Sequence, residues 1–189
     1  MKKIVSLYMR NYETDRLVRD EVVPGSEWVL EGEGVATRKW DGTSTLVRGG
    51  RLFKRYDAKA GKQPPVGFEP AQDADPVTGH WPGWLAVGEG PEDRYHRETF
   101  QSQMLENGSL EDGTYELVGP KIQSNPDGFE KHTLVKHGSE VLEGVPLNFE
   151  GLKRYLEDKT IEGIVWHHPD GRMVKLKRKD LFKKARAGA

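Results

Sequence analysis

Residues 43–56, TSTLVRGGRLFKRY, form two runs of apolar and polar residues that favour β-strands, and Gly49-Gly50 separates them. Such runs are typical of strands, and a pair of glycines tolerates the positive φ angles of a two-residue turn. The segment therefore predicts a β-hairpin in which Arg48 faces Arg51. Alternation along the second strand then directs Lys54 away from the face that carries Arg55.

A second alternating segment, residues 161–179 (IEGIVWHHPDGRMVKLKRK), contains the turn signal Asp170-Gly171. Pairing outward from a two-residue loop makes Trp166 face Lys175. This register predicts that Glu162 and the lysines of VKLK lie on one face of the hairpin, with apolar residues on the other. The apolar face can pack on a core.

Two further segments carry the start signals of helices. Pro91 and the acids after it open PEDRYHRETFQSQML, which predicts a helix over residues 91–105. Asn148 is expected to cap a shorter helix that ends at Leu156 and buries Leu152. Strands separated by helices and long loops, without regular βαβ alternation, predict a mixed α+β domain of largely antiparallel sheets with flanking helices.

Residues 57–90 are rich in Pro, Gly and Asp, a composition that disfavours regular structure. A loop of this length is unusual inside a compact domain unless it has a function. We therefore expect a long loop on the substrate side, anchored to the domain by Trp81 and Trp84.

The composition indicates one folded, soluble domain: the chain has 189 residues, of which 35% are hydrophobic and 31% charged. It has no cysteine, which excludes disulfides and thiolate chemistry and fits a reducing compartment. No apolar segment is long enough to cross a bilayer, and the N-terminus lacks the features of a signal peptide. We expect a cytoplasmic protein, monomeric and without a membrane partner.

The net charge of −1 conceals a basic C-terminal stretch, because residues 172–189 hold eight Lys and Arg against one acid. A local basic stripe suits a partner that bears phosphate groups. A solvated C-terminal helix would have the same composition. A basic tail at about 172–189 is the expectation in both cases.

Four short motifs follow one another along the chain: KWDG (39–42), YELVG (115–119), EGIVW (162–166) and VKLK (174–177). One KxDG tetrapeptide is a weak signal, whereas four motifs in this order are specific. The set resembles the covalent nucleotidyltransferase superfamily of ATP-dependent ligases and capping enzymes. The longer segments GTYELVGPKIQSNPDG, HTLVKHG and EGIVWHHPDGRMVKLKRKD are most similar to small 5′–3′ RNA ligases.

This resemblance implies a fold as well as a function. It implies a nucleotidyltransferase (ATP-grasp-like) domain that occupies residues 1–189 as a single unit. Larger members of the superfamily add an OB-fold domain at the C-terminus. Because only twelve residues follow VKLK, no OB-fold domain is expected here.

The implied function is that of an ATP-dependent RNA ligase, which joins 5′-phosphate and 3′-hydroxyl RNA ends with Mg²⁺ or Mn²⁺. By the resemblance, Lys39 carries AMP covalently, and Asp41, Lys175 and Lys177 assist the chemistry. Glu162 and Glu116 are the expected metal ligands. The residues expected to bind the nucleotide are Thr37, Arg38, Lys39, Gly42, Arg55, Glu116, Glu162, Lys175 and Lys177.

Amine chemistry is consistent with these roles. Only an uncharged lysine amine can attack phosphorus, and nearby cations favour the uncharged form. A metal ion at Glu162, together with Lys175 and Lys177, would supply such cations and would also neutralise the nucleotide phosphates. Taken alone, Lys39 and Asp41 would equally fit an exposed ion pair.

Two alternatives stay open at this point. One is an adenylyltransferase that modifies polynucleotide ends or small molecules without sealing them. The other is a non-catalytic protein that binds RNA ends. A zinc site is disfavoured, because adjacent His167 and His168 would point to opposite faces of a strand, and His132 and His137 lie five residues apart.

Overall fold

The computed structural model describes residues 1–182. In chain order these residues form β1 (Val5–Ser6), β2 (Tyr8–Arg10), β3 (Val18–Val22), β4 (Val35–Lys39), β5 (Thr43–Arg48), β6 (Arg51–Ala58), β7 (Glu69–Pro70), β8 (Trp81–Ala86), α1 (Arg94–Asn107), β9 (Gly113–Val118), β10 (Thr133–Lys136), α2 (Phe149–Glu157), β11 (Gly163–His167), β12 (Met173–Lys177) and α3 (Arg178–Leu181). The predicted mixed α+β class with largely antiparallel sheets is confirmed, and the helices are few.

The described chain falls into two compact units. Unit 1 comprises Met1–Lys3 and Asp41–His137, and unit 2 comprises Ile4–Trp40 and the chain from Gly138 onward. The KWDG motif lies across the division, with Lys39 and Trp40 in unit 2 and Asp41 and Gly42 in unit 1. Each unit is described by itself below.

Unit 2 is built on a four-stranded sheet in the order β1-β12-β11-β4. The pairs β12–β11 and β11–β4 are antiparallel, whereas β1 runs parallel to β12. One face of the sheet packs against α2, whose Leu152 and Leu156 are fully buried beside Ile164, Trp166 and Leu176. A two-stranded sheet, β2–β3, completes this core through Tyr8 and Val18.

Unit 1 is built on a six-stranded sheet in the order β10-β9-β5-β6-β8-β7. Helix α1 lies against one face, where its Tyr95 and Phe100 pack on a small apolar core. The buried members of that core are Val47, Leu52, Tyr115, Leu117 and Leu134. The opposite face of the central strands carries the polar motif residues.

The first predicted hairpin is confirmed. Arg48 pairs with Arg51, and Gly49 and Gly50 have φ angles of 55° and 69°. Positive φ at both loop positions is the requirement of the type I′ turn, which only glycine and a few other residues meet at low cost. Lys54 pairs with Asp93 at 2.5 Å and so faces away from the Arg55 side of β6.

The predicted register of the second hairpin is wrong by one residue. Trp166 pairs with Val174 rather than Lys175, because the loop contains three residues, 169–171, closed by a hydrogen bond from His168 N to Arg172 O at 2.9 Å. Gly171 takes the left-handed position of this longer turn, with φ at 90°. A one-residue shift exchanges faces, so Trp166 lies on the core face and Val165 lies with the lysines.

Both predicted helices are confirmed. A 3-10 turn at Pro91–Asp93 leads into α1, and α2 begins after Asn148, whose Oδ1 accepts a hydrogen bond from Gly151 N at 2.8 Å. This contact satisfies one of the backbone donors that the first turn of a helix leaves unpaired.

Two segments differ from the sequence-based expectation. The predicted loop at 57–90 contains two strands, since β8 pairs with β6 along its whole length and β7 pairs with β8. In the predicted basic tail, residues 172–182 contribute β12 and α3, and residues 183–189 lie outside the described part of the chain. None of the helices within residues 1–182 combines the length and apolar character needed to cross a membrane.

Candidate active site

Strand pairing in unit 2 places two lysines on either side of Gly163. In the central strand β11, Gly163 pairs with Lys39 of β4 and with Lys177 of β12. Residues paired across neighbouring strands point to the same face of a sheet. Strands lie about 4.8 Å apart, so the two lysine backbones are roughly 10 Å apart and one group between them can reach both amines.

That group is the carboxylate of Glu162, at the residue just before β11. Its Oε2 accepts a hydrogen bond from Lys39 Nζ, and its Oε1 lies 2.8 Å from Lys177 Nζ. The side chain of Glu162 is 9% exposed, against 18% for Lys39 and 22% for Lys177. The predicted nucleophile, the predicted metal ligand and one predicted cation therefore meet in a partly buried cluster.

Lys39 and Lys177 favour the charged form of Glu162. Burial acts to raise the pKa of its carboxyl group, but the charges of Lys39 and Lys177 and their hydrogen bonds outweigh that effect. The pKa of Glu162 consequently lies below its usual range. The side chain is a carboxylate at neutral pH and can orient the Lys39 amine.

Lys175 lies two residues before Lys177 on the same strand, with buried Val174 and Leu176 on the other face. Alternation therefore gives both lysines the same side of the sheet. The observed register pairs Lys175 with Val165. Both lysines lie on one face of the sheet, as predicted. Val165 and Trp166, in contrast, lie on the faces opposite to those predicted.

The two residues before Lys39 point to opposite sides of β4. Thr37 is buried, and its hydroxyl donates to Val165 O at 3.0 Å. This side chain therefore links β4 to β11 within the sheet. The Arg38 guanidinium stacks on the Trp40 ring at 3.9 Å and lies 3.5 Å from Glu140. Arg38 therefore does not share the face that holds Lys39.

Unit 1 contains a second polar cluster, centred on Glu116 of β9. Its Oε1 accepts from Gly42 N at 3.1 Å, and its Oε2 accepts from His137 Nε2 at 2.8 Å. The other ring nitrogen of His137, Nδ1, lies 2.9 Å from the Thr114 hydroxyl, so both ring nitrogens have a polar partner. Both oxygens of the nearly buried Glu116 are thus held in place.

Gly42 is required at its position by close packing. A Cβ atom there would collide with Leu117 O and would lie 2.9 Å from Val118 Cγ1. Only glycine lets the KWDG backbone approach β9 closely enough for Gly42 N to reach Glu116. Next to it, Asp41 N donates to Asp127 Oδ2 at 3.1 Å, which ties the motif to the loop after β9.

Arg55 lies on the opposite face of β6 from Lys54, as predicted. Its guanidinium lies over the Trp84 ring at 5.0 Å and donates to Met1 O at 2.7 Å. Burial lowers the pKa of Arg55, and nearby Asp57 opposes that change. The charge is therefore held partly out of water, where an anion would interact with it strongly.

The predicted metal ligands Glu162 and Glu116 belong to different units. Within residues 1–182, no group of three or more His, Asp or Glu side chains could hold a metal ion. Glu162 belongs to the lysine cluster of unit 2, and Glu116 to the histidine cluster of unit 1. The donor set still fits Mg²⁺, which commonly takes one or two protein carboxylates and fills its remaining positions with substrate phosphates and water.

Two residues of these clusters, His137 and Asp127, are not among those that the sequence predicts for the site. From the sequence, His137 is a candidate only for a zinc site, which its spacing from His132 disfavours. The signal for His137 is its place directly after β10, which the antiparallel pairing with β9 brings beside Thr114 and Glu116.

The known proteins to which this chain is similar are RNA ligases, in agreement with the motifs. Residues 92–185 match the model of the RNA ligase 1 family. The similarity to an RNA ligase family is therefore confirmed. The matched segment includes Glu116, Glu162, Lys175 and Lys177, and Lys39 lies before it.

Individual relatives are similar at modest identity. RNA ligase 1 of Mus musculus is 29% identical over 143 residues, which cover 58% of this chain and 44% of the relative. RNA ligase 1 of Pongo abelii is 38% identical over 77 residues, 36% of this chain and 24% of the relative. RNA ligase 1 of Danio rerio is 32% identical over 81 residues, which cover 38% of this chain and 25% of the relative. The chain thus matches less than half the length of these curated relatives.

Proposed function

We propose that this protein is an ATP-dependent RNA ligase that joins a 5′-phosphate to a 3′-hydroxyl RNA end and carries AMP on Lys39 in between. The observation that carries the proposal is the contact of the Lys39 amine with Glu162, whose second oxygen engages Lys177. The relatives named RNA ligase 1 provide independent support.

The first step forms a phosphorus–nitrogen bond. Lys39 Nζ gives up a proton, its lone pair attacks the α-phosphorus of ATP, and the bond to the bridging oxygen breaks with release of pyrophosphate. Glu162 orients the amine before attack. Lys175 and Lys177 offset the negative charge of the phosphate groups.

Two further transfers complete the reaction. An oxygen of the RNA 5′-phosphate attacks the AMP phosphorus, and the bond to Lys39 Nζ breaks. The 3′-hydroxyl of the other end then loses its proton, attacks the 5′ phosphorus and displaces AMP, which leaves a phosphodiester bond.

A divalent metal ion would be held by Glu162, with Glu116 as a separate candidate in unit 1. Bound there, Mg²⁺ or Mn²⁺ would neutralise phosphate charge. The remaining roles belong to side chains of the protein. We assign Glu116, fixed by Gly42 and His137, to the ribose hydroxyls, and Arg55 to a ribose or 5′-phosphate oxygen.

The proposal is tested by incubating the protein with Mg²⁺ and α-³²P-labelled ATP, followed by unlabelled 5′-phosphorylated RNA. We expect label on the protein that is stable to alkali and released by acid, as a phosphorus–nitrogen bond requires, then its transfer to RNA and a sealed product. Label that reaches RNA without sealing would favour an adenylyltransferase. A protein that binds RNA ends but never becomes labelled would contradict the ligase assignment.

A further inference from the structure

The loop after β9 contains an unusual backbone. Gln123, Ser124 and Asn125 follow one another with φ angles of 47°, 63° and 52°. L-residues rarely adopt this left-handed region, and each costs roughly 1–2 kcal/mol relative to a right-handed conformation. Three consecutive non-glycine residues of this kind persist only when surrounding structure or function maintains them.

Hydrogen bonds hold all three residues in this conformation. Asn125 N donates to Ile122 O at 2.7 Å, which closes a β-turn with Gln123 and Ser124 at its central positions, and positive φ at both positions is typical of type I′. Asn125 is also bound to the backbone of Phe129 through both ends of its side-chain amide, at 2.9 and 3.0 Å. Gln123 and Ser124 are exposed. Within residues 1–182, neither makes a hydrogen bond through its backbone or its side chain.

The polar groups of this turn that have no hydrogen-bond partner within residues 1–182 are mostly donors. Gln123 and Ser124 offer two successive backbone N–H groups, a side-chain amide and a hydroxyl. Lys121, also exposed, makes no ion pair within the described chain and adds an ammonium group to the same turn. Successive N–H groups in a turn form concavities that bind anions, and a nearby ammonium strengthens them.

We propose that Lys121, Gln123 and Ser124 form a phosphate-binding turn that holds the backbone of the RNA strand. This inference rests on the proposed ligase function for the identity of its ligand. Asn125 and Asp127 anchor the turn, since Asn125 fixes Phe129 and Asp127 accepts from Asp41 N. The strained conformation keeps the donors in position before RNA arrives, so little ordering is needed on binding.

The test compares stability and RNA affinity in the same variants. Gln123→Gly and Ser124→Gly relieve the strained φ angles, and each should raise the melting temperature by about 2–4 °C. The same substitutions should weaken binding of a fluorescein-labelled, single-stranded RNA roughly three- to tenfold, because the donors are lost or loosened. Binding is measured by fluorescence anisotropy without ATP or metal, so the RNA is not consumed.

Lys121→Gln provides a separate readout. Loss of one phosphate contact should reduce the slope of log affinity against log salt by about 0.7 for a single strand. The matched control is Arg16→Gly in unit 2, which also removes a positive charge and relieves a φ of 60°. It should raise the melting temperature without changing RNA affinity.

The outcomes separate this inference from the ligase proposal. Unchanged RNA affinity in the variants Q123G, S124G and K121Q would overturn the phosphate-binding turn, as would equal weakening by R16G. Competition by inorganic pyrophosphate at the concentration of RNA phosphate would assign the turn to a free anion and contradict the RNA ligand. Wild-type protein that binds RNA through the turn but takes no label from ATP would refute the ligase function alone.

Discussion

Lys39 donates a hydrogen bond to Glu162, although the two residues are 123 positions apart in the chain. The antiparallel pairing of β4 with β11 brings them together, and the Glu162 carboxylate then reaches Lys177 on the far side of β11. One carboxylate therefore orients the proposed nucleophile and a second amine.

A first prediction concerns the proposed nucleophile. Lys39→Arg keeps the positive charge and the contact with Glu162, but a guanidinium stays charged and cannot attack phosphorus. We expect protein labelling by α-³²P-ATP to fall at least a thousandfold, since removal of an active-site nucleophile can cost far more than that. The exposed Lys59→Arg variant should label like the wild type. Equal labelling of Lys39→Arg would show that another residue carries AMP.

A second prediction concerns the pH dependence of stability through Glu162. Because its pKa is lowered in the folded protein, the carboxylate stabilises the fold above its unfolded-state pKa of about 4.3. This contribution is lost as the pH falls through the lower folded-state pKa. Glu162→Gln should therefore cost about 2–3 kcal/mol at pH 7, and the difference from wild type should shrink below about pH 4.5.

Urea denaturation at a series of pH values measures this difference. Glu143→Gln, an exposed substitution with the same charge change in unit 2, should stay within about 0.5 kcal/mol of wild type at each pH. A Glu162→Gln penalty of the same size at pH 7 and at low pH would contradict the ion-pair interpretation.

A third prediction concerns the backbone approach at Gly42. In Gly42→Ala the new methyl group would collide with Leu117 O, a backbone atom fixed within the sheet. We expect a destabilisation of about 2–3 kcal/mol, as for overpacked interiors. Gly88→Ala is the control, since its Cβ would make ordinary contact at 3.5 Å with Asp93 Oδ2. Similar melting temperatures for the two variants would show that β9 can move aside.

A fourth prediction separates the two hydrogen bonds of His137. His137→Ala leaves one oxygen of nearly buried Glu116 without its donor and should cost about 1–3 kcal/mol of unfolding free energy. His137→Gln can restore a donor to Glu116 and should recover part of that loss. Chemical denaturation measures both variants. A Gln variant as unstable as the Ala variant would indicate that packing of the ring, rather than the hydrogen bond, is important.

The sequence predicts the first hairpin to the residue, because Gly49-Gly50 admits few turn types. It fails at the second hairpin, since Asp170-Gly171 fits loops of two and of three residues. The observed loop includes Pro169 and puts Gly171 in its left-handed position. Local turn chemistry alone could not choose between these registers.

Strand β8 and the contacts of His137 escape prediction for a different reason, which is long-range pairing. Pro82 and Gly83 disfavour a strand locally, but hydrogen bonding to β6 and β7 overrides this preference. His137 acquires its partners only through the register of β10 against β9. Lys39, Glu162 and Lys177 could be predicted as a group because their motifs resemble those of the nucleotidyltransferase superfamily, whereas strand patterns alone do not place Lys39 beside Glu162.

The parallel pairing of β1 with β12 has a consequence for synthesis on the ribosome. Strand β1 lies near the start of the chain and β12 near the end of its described part, so the sheet of unit 2 cannot be completed until β12 has been translated. Until then, the edges of nascent β1 and β4 that pair within this sheet remain unpaired. Unpaired strand edges can associate with other chains. Residues 41–137 emerge earlier and contain all strands of their own sheet, so unit 1 can fold while unit 2 is still being made.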